Sequence, residues 1–457
     1  MMKKLLVWSL VLVALLLAVY RITNRAPSAS LAQTERVLKI LEDGGCLSCH
    51  SAEPKLPFYA SFPVVGDVVV TDSKEGYKMF DCQPLIDALK SGQTPSMVDV
   101  AKVEKAAIDG DMPMAKYYLV HWGSQMTDAK CDIIVDWAQQ CRAAYYNDGL
   151  EGEFAGSVIR PVAQSLEVDP AKVELGRILY HDTRLSVDNT VSCASCHGLN
   201  TGGVDNKQYS EGVYGQFGGV NAPTVYNAVY NFVQFWDGRA ATLELQAAGP
   251  PLNPVEMGCT SFDQIIAKLA KDRALTKAFK AVYPEGWSEA NITDAIAEFE
   301  RTLITPNSRF DKYLRDDNTA ITAEEKQGYE LFVKYNCATC HAGVNLGGLS
   351  YELMGQYADY FADRGLELTV EDNGRFKETA CERDRHRFKV PGLRNVALTA
   401  PYFHDGTESE LKEAVCKMGT YQVGVELTDA DEDKIVAFLH TLTGEVDGKP
   451  LTNDNMK

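Results

Sequence analysis

Cys-x-x-Cys-His occurs three times in this chain of 457 residues, at Cys46/Cys49/His50, Cys193/Cys196/His197 and Cys337/Cys340/His341. The pattern does one chemical job. Its two thiols add to the vinyl groups of a haem, and the adjacent imidazole ligates the iron from one side. A zinc site would need two more ligands at short spacing, and none follows any of the three copies. A thioredoxin-type pair would sit between a strand and a helix, and that context is missing. Three covalently bound haems c are therefore expected. Haem then supplies much of each core, so the modules should not fold properly without it.

The flanking sequence agrees with small haem modules. Arg36 to Leu41 is an amphipathic run ahead of the first motif. Ahead of the second, Asp169 reads as an N-cap and Pro170 as the first helical residue, leading into Val173, Leu175, Ile178 and Leu179. Ahead of the third, Thr322 and Glu325 form a capping box before Tyr329, Leu331 and Phe332. Closing helices are expected at Thr127–Cys141, Asn291–Leu303 and Thr428–Leu442. The motif cysteines recur at domain-sized intervals, Cys46, Cys193 and Cys337. The predicted fold is mainly α: three c-type cytochrome domains in series with long irregular loops, at 26–146, 165–315 and 316–457. A glycine-rich linker is expected at 147–164 and a polar break at Asp311–Ala320. Val64–Val70 reads as a short strand. Six further cysteines, Cys82, Cys131, Cys141, Cys259, Cys381 and Cys416, permit up to three disulfides in an oxidising compartment, with buried free thiols as the alternative.

Lys3 and Lys4 precede an uncharged apolar run from Leu5 to Tyr20. Such a run is a signal-peptide core or a short transmembrane helix. The best cleavage site, Ser30-Leu31-Ala32, lies well beyond it, so residues 1–25 are expected to remain as an anchor. Lys3 and Lys4 would stay cytoplasmic, against the opposing pull of Arg21 and Arg25. The expected location is the inner membrane, single-pass, with the haem domains in the periplasm. The formal net charge is −18, which argues against a nucleic-acid partner. Small neutral substrates and protein or quinone redox partners stay open.

The second axial ligand separates an electron carrier from an open, reactive iron. In the first module Asp109-Gly-Asp-Met-Pro-Met114 presents Met112, with Met114, Met97, Met126 and His121 competing. In the third module Met418 is a candidate. In the second, no histidine occurs between Gly198 and Met257. Met257, Tyr209 and Tyr214 are the remaining options there, so the iron at His197 is the best candidate for an open face. His181, His386 and His440 read as surface or helix-end residues, and Glu408–Glu413 as a solvated helix face.

From Asp169 to Gly444 the chain resembles the bacterial dihaem cytochrome c peroxidases. The resemblance rests on Ser192-Cys-Ala-Ser-Cys-His197, Gly202-Gly-Val-Asp205, Asn221-Ala-Pro-Thr224, Phe235-Trp-Asp-Gly-Arg-Ala240, Leu243-Glu-Leu-Gln246 and Val255-Glu-Met257. Pro391-Gly-Leu-Arg-Asn395 and Leu398-Thr-Ala-Pro-Tyr-Phe-His404 extend it. With the extra N-terminal module and anchor, the whole is similar to the three-haem, membrane-bound subgroup that includes quinol peroxidases. The resemblance implies a peroxidatic haem at His197 and a high-potential electron-transfer haem at His341 with Met418. It also implies a distal acid and amide at Glu256 and Gln246, and Trp236 between the two haems. A calcium ion would be held by Asn221 and the carbonyls of Thr399 and Pro401. His404 lies in a family motif without a firm role. Implied partners are hydrogen peroxide, a quinol pool or c-type cytochrome as donor, and the inner membrane, with a homodimer as the candidate assembly. Most family members place a blocking histidine where an ungapped alignment puts Val213 here, and valine cannot ligate iron. Two other readings compete: an electron carrier with three closed haems, and a dihaem oxidase of partner proteins, whose relatives carry tyrosine in place of Met418.

Overall fold

A helix spans Met2–Thr23 in the computed structural model, which describes residues 2–118 and 121–456. Its segment Lys4–Thr23 has a mean hydropathy of 2.4 and no buried residue. Twenty helical residues rise about 30 Å, the thickness of a bilayer's hydrocarbon core. The helix is long and apolar enough to cross a membrane, and a signal sequence would meet the same criterion.

The chain divides into two compact units, Met1–Val158 and Ile159–Lys457. In the first, helices Gln33–Gly44, Gln83–Ser91, Met97–Asp109 and Asp128–Tyr146 enclose one apolar core. Val37, Ile40, Leu85, Ile86, Ile134 and Trp137 fill it. A bidentate pair between Arg142 and Glu104, both bonds 2.7 Å, is buried at its edge.

Val64–Val70 is not a strand. Helix Val65–Met79 covers it and packs on the turn Phe58–Ser61. Gly66 makes that contact possible, because a Cβ there would lie 2.2 Å from the Ala60 carbonyl oxygen. A short valine run does not distinguish helix from strand by periodicity, and tertiary packing overrides the β-preference of valine.

The second unit is built on two helix pairs. Pro170–Tyr180 packs against Glu289–Glu300, and Ala323–Lys334 against Asp429–His440. Both first helices start as the sequence predicts: Asp169 accepts from the Ala171 and Lys172 amides, and Thr322 and Glu325 form a reciprocal capping box. Each pair crosses at a glycine. A Cβ on Gly176 or Gly328 would lie 1.9 Å from the carbonyl oxygen of Ala295 or Lys434.

Two buried networks fuse the pairs into one body. Asn227 and Asn395 both donate to the Thr305 hydroxyl, at 2.7 and 3.0 Å. Arg394 pairs with Asp311 at 2.7 Å, and neither side chain reaches solvent. The polar break read at Asp311–Ala320 therefore begins inside helix Arg309–Leu314, with its first residue in the core. Strands are few: Tyr351–Leu353 pairs antiparallel with Arg387–Lys389, and Glu445–Val446 with Lys449–Pro450.

No disulfide joins any of the twelve cysteines, so none of the three permitted bridges is present. Cys131 and Cys141 share helix Asp128–Tyr146, about 15 Å apart at ten residues of helical rise, too far to bridge. Glu408 is not part of a solvated face either. It is buried and paired with Lys417 at 2.8 Å.

Removing one partner of a fully buried pair leaves an uncompensated charge, at a cost of about 3–5 kcal/mol. Arg394→Met should lose that much unfolding free energy in urea titration, whereas Lys39→Met, from an exposed pair with Asp43, should lose less than about 1 kcal/mol.

Candidate active site

Each Cys-x-x-Cys-His segment folds as a single helical turn. The histidine amide caps it by donating to the first cysteine carbonyl, at 2.9 Å in His50, 3.0 Å in His197 and 2.9 Å in His341. The imidazoles are oriented by the backbone. His50 Nδ1 lies 3.1 Å from the Phe80 carbonyl oxygen, and His341 Nδ1 lies 2.9 Å from that of Leu346. A proton held on Nδ1 leaves the Nε2 lone pair for a metal. His197 Nδ1 is buried without a hydrogen bond that meets the same geometry, although the carbonyls of Gly203 and Pro223 face the ring. Burial lowers the pKa of all three histidines, which favours the neutral, ligating form. Burial also pushes the Cys196 thiol up to about 11 and Cys337 to about 12. Paired thiols in an apolar wall beside a neutral imidazole fit a covalently attached haem.

Around His197 the expected residues converge in part. The loop after Cys196 reaches Gly212-Val213-Tyr214. Val213 is fully buried, and its amide donates to the Glu256 carbonyl at 2.8 Å. Its side chain packs in the core with Met257, while Tyr214 projects outward at φ +60° and 71% exposure. Glu256 sits in the turn following helix Leu243–Leu252. Its charge acts on the thiols of both Cys193 and Cys196. Burial raises the Glu256 carboxyl, while the Arg239 charge and a hydrogen bond from Asn253 hold it down. That bond, Asn253 Nδ2 to Oε1, is 2.7 Å. Gln246 is half-buried on the preceding helix.

Trp236 Nε1 donates to the Asn221 carbonyl at 2.9 Å, and the Asn221 amide donates to the His404 carbonyl at 2.8 Å. The His404 ring lies edge-on to Trp236, with centroids 6.4 Å apart, and stacks on Phe388 at 4.2 Å. Thus Asn221, Trp236 and the chain just beyond Thr399 and Pro401 form one cluster. Met112 is 38% exposed on its loop, and Met418 is half-buried at the end of helix Leu411–Met418. In the first unit Tyr117 and His121 stack at 3.8 Å, and Tyr117 lies within electrostatic reach of Cys49.

Sequence reading missed three features. Asn253 and Arg239 both tune Glu256, and the Asn-x-x-Glu spacing was the available signal. Asp372 pairs with His404 at 2.7 Å and with Arg364, which also bridges to Asp405 at 2.6 Å. Burial raises the Asp372 carboxyl, but the His404 and Arg364 bonds outweigh it and hold it well below the ordinary range. Asp372, His404 and Asp405 are the one group of three metal-ligand side chains among the described residues, and the Arg364 cation already pairs with both carboxylates. Glu300 is buried and pushed up to about 8 by burial, then by Glu244; its charge also reaches Cys193. His386 is half-buried against Phe361 at 4.3 Å rather than on the surface.

The sequence matches the family model for di-haem cytochrome c peroxidase over residues 170–319, and that for a haem-binding domain over residues 11–140. It is 49% identical to cytochrome c peroxidase Ccp of Escherichia coli over 91% of this chain and 89% of that one. The chain belongs to the bacterial dihaem cytochrome c peroxidase family. Cytochrome c551 peroxidase of Nitrosomonas europaea is 44% identical over 64% of this chain and 85% of its own length. Among solved structures, a MauG-like protein associated with microbial copper homeostasis is similar at a TM-score of 0.55 and 29% identity, covering 63% of this chain and 93% of that one. The chain is a haem peroxidase with covalently bound haem c. Proteolysis of the purified protein should give a haem-bearing peptide for each of the three motifs, and Cys193→Ala/Cys196→Ala should remove only the middle one, as read by haem-peptide mass.

Proposed function

We propose that the protein reduces hydrogen peroxide to water in the periplasm while Lys4–Thr23 anchors it in the inner membrane. Electrons come from a quinol pool or from a c-type cytochrome. The names of the relatives support peroxide and a cytochrome donor; the apolar N-terminal helix and the additional haem-binding segment support quinol. Three bound haems would supply the electron path, from the His50 site through the His341 site to an iron at His197 where peroxide is cleaved. Met112 and Met418 would complete the first and third sites. Asn221, with the Thr399 and Pro401 carbonyls, would hold calcium.

The observation that carries this reading is Glu256, desolvated yet within electrostatic range of Cys193 and Cys196. Peroxide cleavage needs a group that takes a proton from the near oxygen and delivers it to the far one. Asn253 occupies Oε1 and so leaves Oε2 free to do this. The Gln246 amide would orient the peroxide and stabilise developing charge. Trp236, fixed through its indole N–H, would relay electrons between the His341 and His197 sites. Val213 supplies no ligand, so the His197 iron would be open in the resting oxidised protein.

Glu256 must start ionised. Its pKa is raised from an ordinary 4.5, so activity should fall as pH drops through that raised value and be retained above it. Glu256→Gln should keep every haem, lose about 10²–10⁴-fold in peroxide turnover, and lose the acid limb. Asn253→Ala removes a bond that lowers the pKa, so the acid limb should move to higher pH. The donor is tested by peroxide consumption with the oxidised full-length protein and a quinol as sole reductant. Turnover without a lag supports the open iron and the quinol; turnover only with reduced cytochrome c assigns the donor to a protein. Low-spin six-coordinate spectra from every ferric haem would overturn the open site.

A further inference from the structure

Lys389 is a buried cation without a counter-charge. It ends strand Arg387–Lys389, and only 5% of its surface reaches solvent. Its ammonium makes no hydrogen bond or ion pair among the described residues. Burial alone acts on it, pushing it down to about 8. Three other buried cations are each answered by a carboxylate: Arg142 by Glu104, Arg364 by Asp372 and Asp405, and Arg394 by Asp311. A lone buried ammonium is among the costliest groups a fold can hold, so a retained one points to an absent anionic partner.

The surroundings say which partner. The Lys389 amide donates to the Trp236 carbonyl at 2.8 Å, and its neighbour across the sheet is Tyr351. The next residues line the loop that follows His341. The Val390 amide donates to Ser350 at 3.0 Å, and the Val390 carbonyl accepts from Gly348 at 2.8 Å. The Pro391 carbonyl faces the His341 imidazole. A Cβ on Gly347 would lie 2.1 Å from that Pro391 oxygen, which shows how closely the two segments run. Lys389 is therefore in the wall of the His341 site, on the side that carries Trp236.

We propose that Lys389 binds a propionate carboxylate of the haem attached at Cys337 and Cys340. The proposal rests on the reading of His341 as a haem ligand. An ammonium–carboxylate contact in a desolvated wall is a strong, charge-assisted hydrogen bond. It neutralises a negative charge near the iron. Loss of the cation would leave that charge to stabilise the ferric form, so the reduced fraction of this haem would fall. Lys389 is thus a positioning and potential-setting residue for the electron-transfer haem.

The test uses the full-length holoprotein with Lys389→Met and Lys389→Arg. Haem-peptide mass counts the haems, and a spectroelectrochemical titration gives each midpoint potential. With haem retained at Cys337 and Cys340, the methionine variant should show that haem's ferrous-to-ferric ratio lowered about tenfold at fixed potential, ~59 mV for a one-electron couple. The other two haems should stay in place and the arginine variant should recover. Failure of the methionine variant alone to retain this haem would also support the contact, because arginine keeps the charge. An unchanged potential at full haem load would overturn the proposal. So would a shift confined to the haem at His197, or haem loss in both variants. Absence of haem from the Cys337/Cys340 peptide of the unsubstituted protein would instead overturn the reading of His341 on which the proposal stands.

Discussion

The pair between Arg394 and Asp311 holds the second unit together. Besides Asp311, the guanidinium donates to the carbonyls of Val344 and Arg160 and to the Ser308 hydroxyl, at 2.9, 2.9 and 3.0 Å. Asp311 in turn accepts from the Val162 amide at 3.3 Å. Four separated stretches of chain therefore meet at one charge. They include the loop leaving His341 and the segment that enters the unit. A buried pair of this kind contributes little net stability by itself, because desolvation offsets attraction. What it does is fix one arrangement, since any other packing would leave an unpaired charge in the core.

The same unit holds two buried carboxylates of opposite character. Glu256 is desolvated, with one hydrogen bond and one distant cation, and its pKa rises. Asp372 is also desolvated but has His404 and Arg364 bonded to it, and its pKa falls. Burial pulls both upward, so the number of bonded donors decides the sign. Glu256 therefore holds a proton more readily than an ordinary carboxylate. Asp372 stays ionised and holds His404 against Phe388 and Trp236.

The helices around the haem motifs were legible because their signals are local. Asp169-Pro170 and Thr322-x-x-Glu325 specify a helix start by hydrogen bonds within one turn, so no distant partner is needed. The valine run at 64–70 was misread because its outcome depends on Gly66 meeting Ala60. The break at Asp311 was placed from polarity, yet that polarity belongs to a buried pair whose partner is 83 residues away in sequence. The unpaired state of the other cysteines was equally nonlocal.

By itself the sequence determined three pairs of thiols with an adjacent imidazole, an apolar N-terminal run that suits a signal core or a short span, and a peroxidase signature from Asp169 to Gly444. These follow from residue identity and short spacing, which survive without coordinates. The tertiary structure decided what each polar side chain faces. It joined residues 159–457 into one unit, set Asn253 on Glu256, gave His404 to Asp372, turned Val213 into the core, and left Lys389 buried without a partner. Those outcomes depend on desolvation and on contacts between distant segments, and a pattern along the chain carries neither.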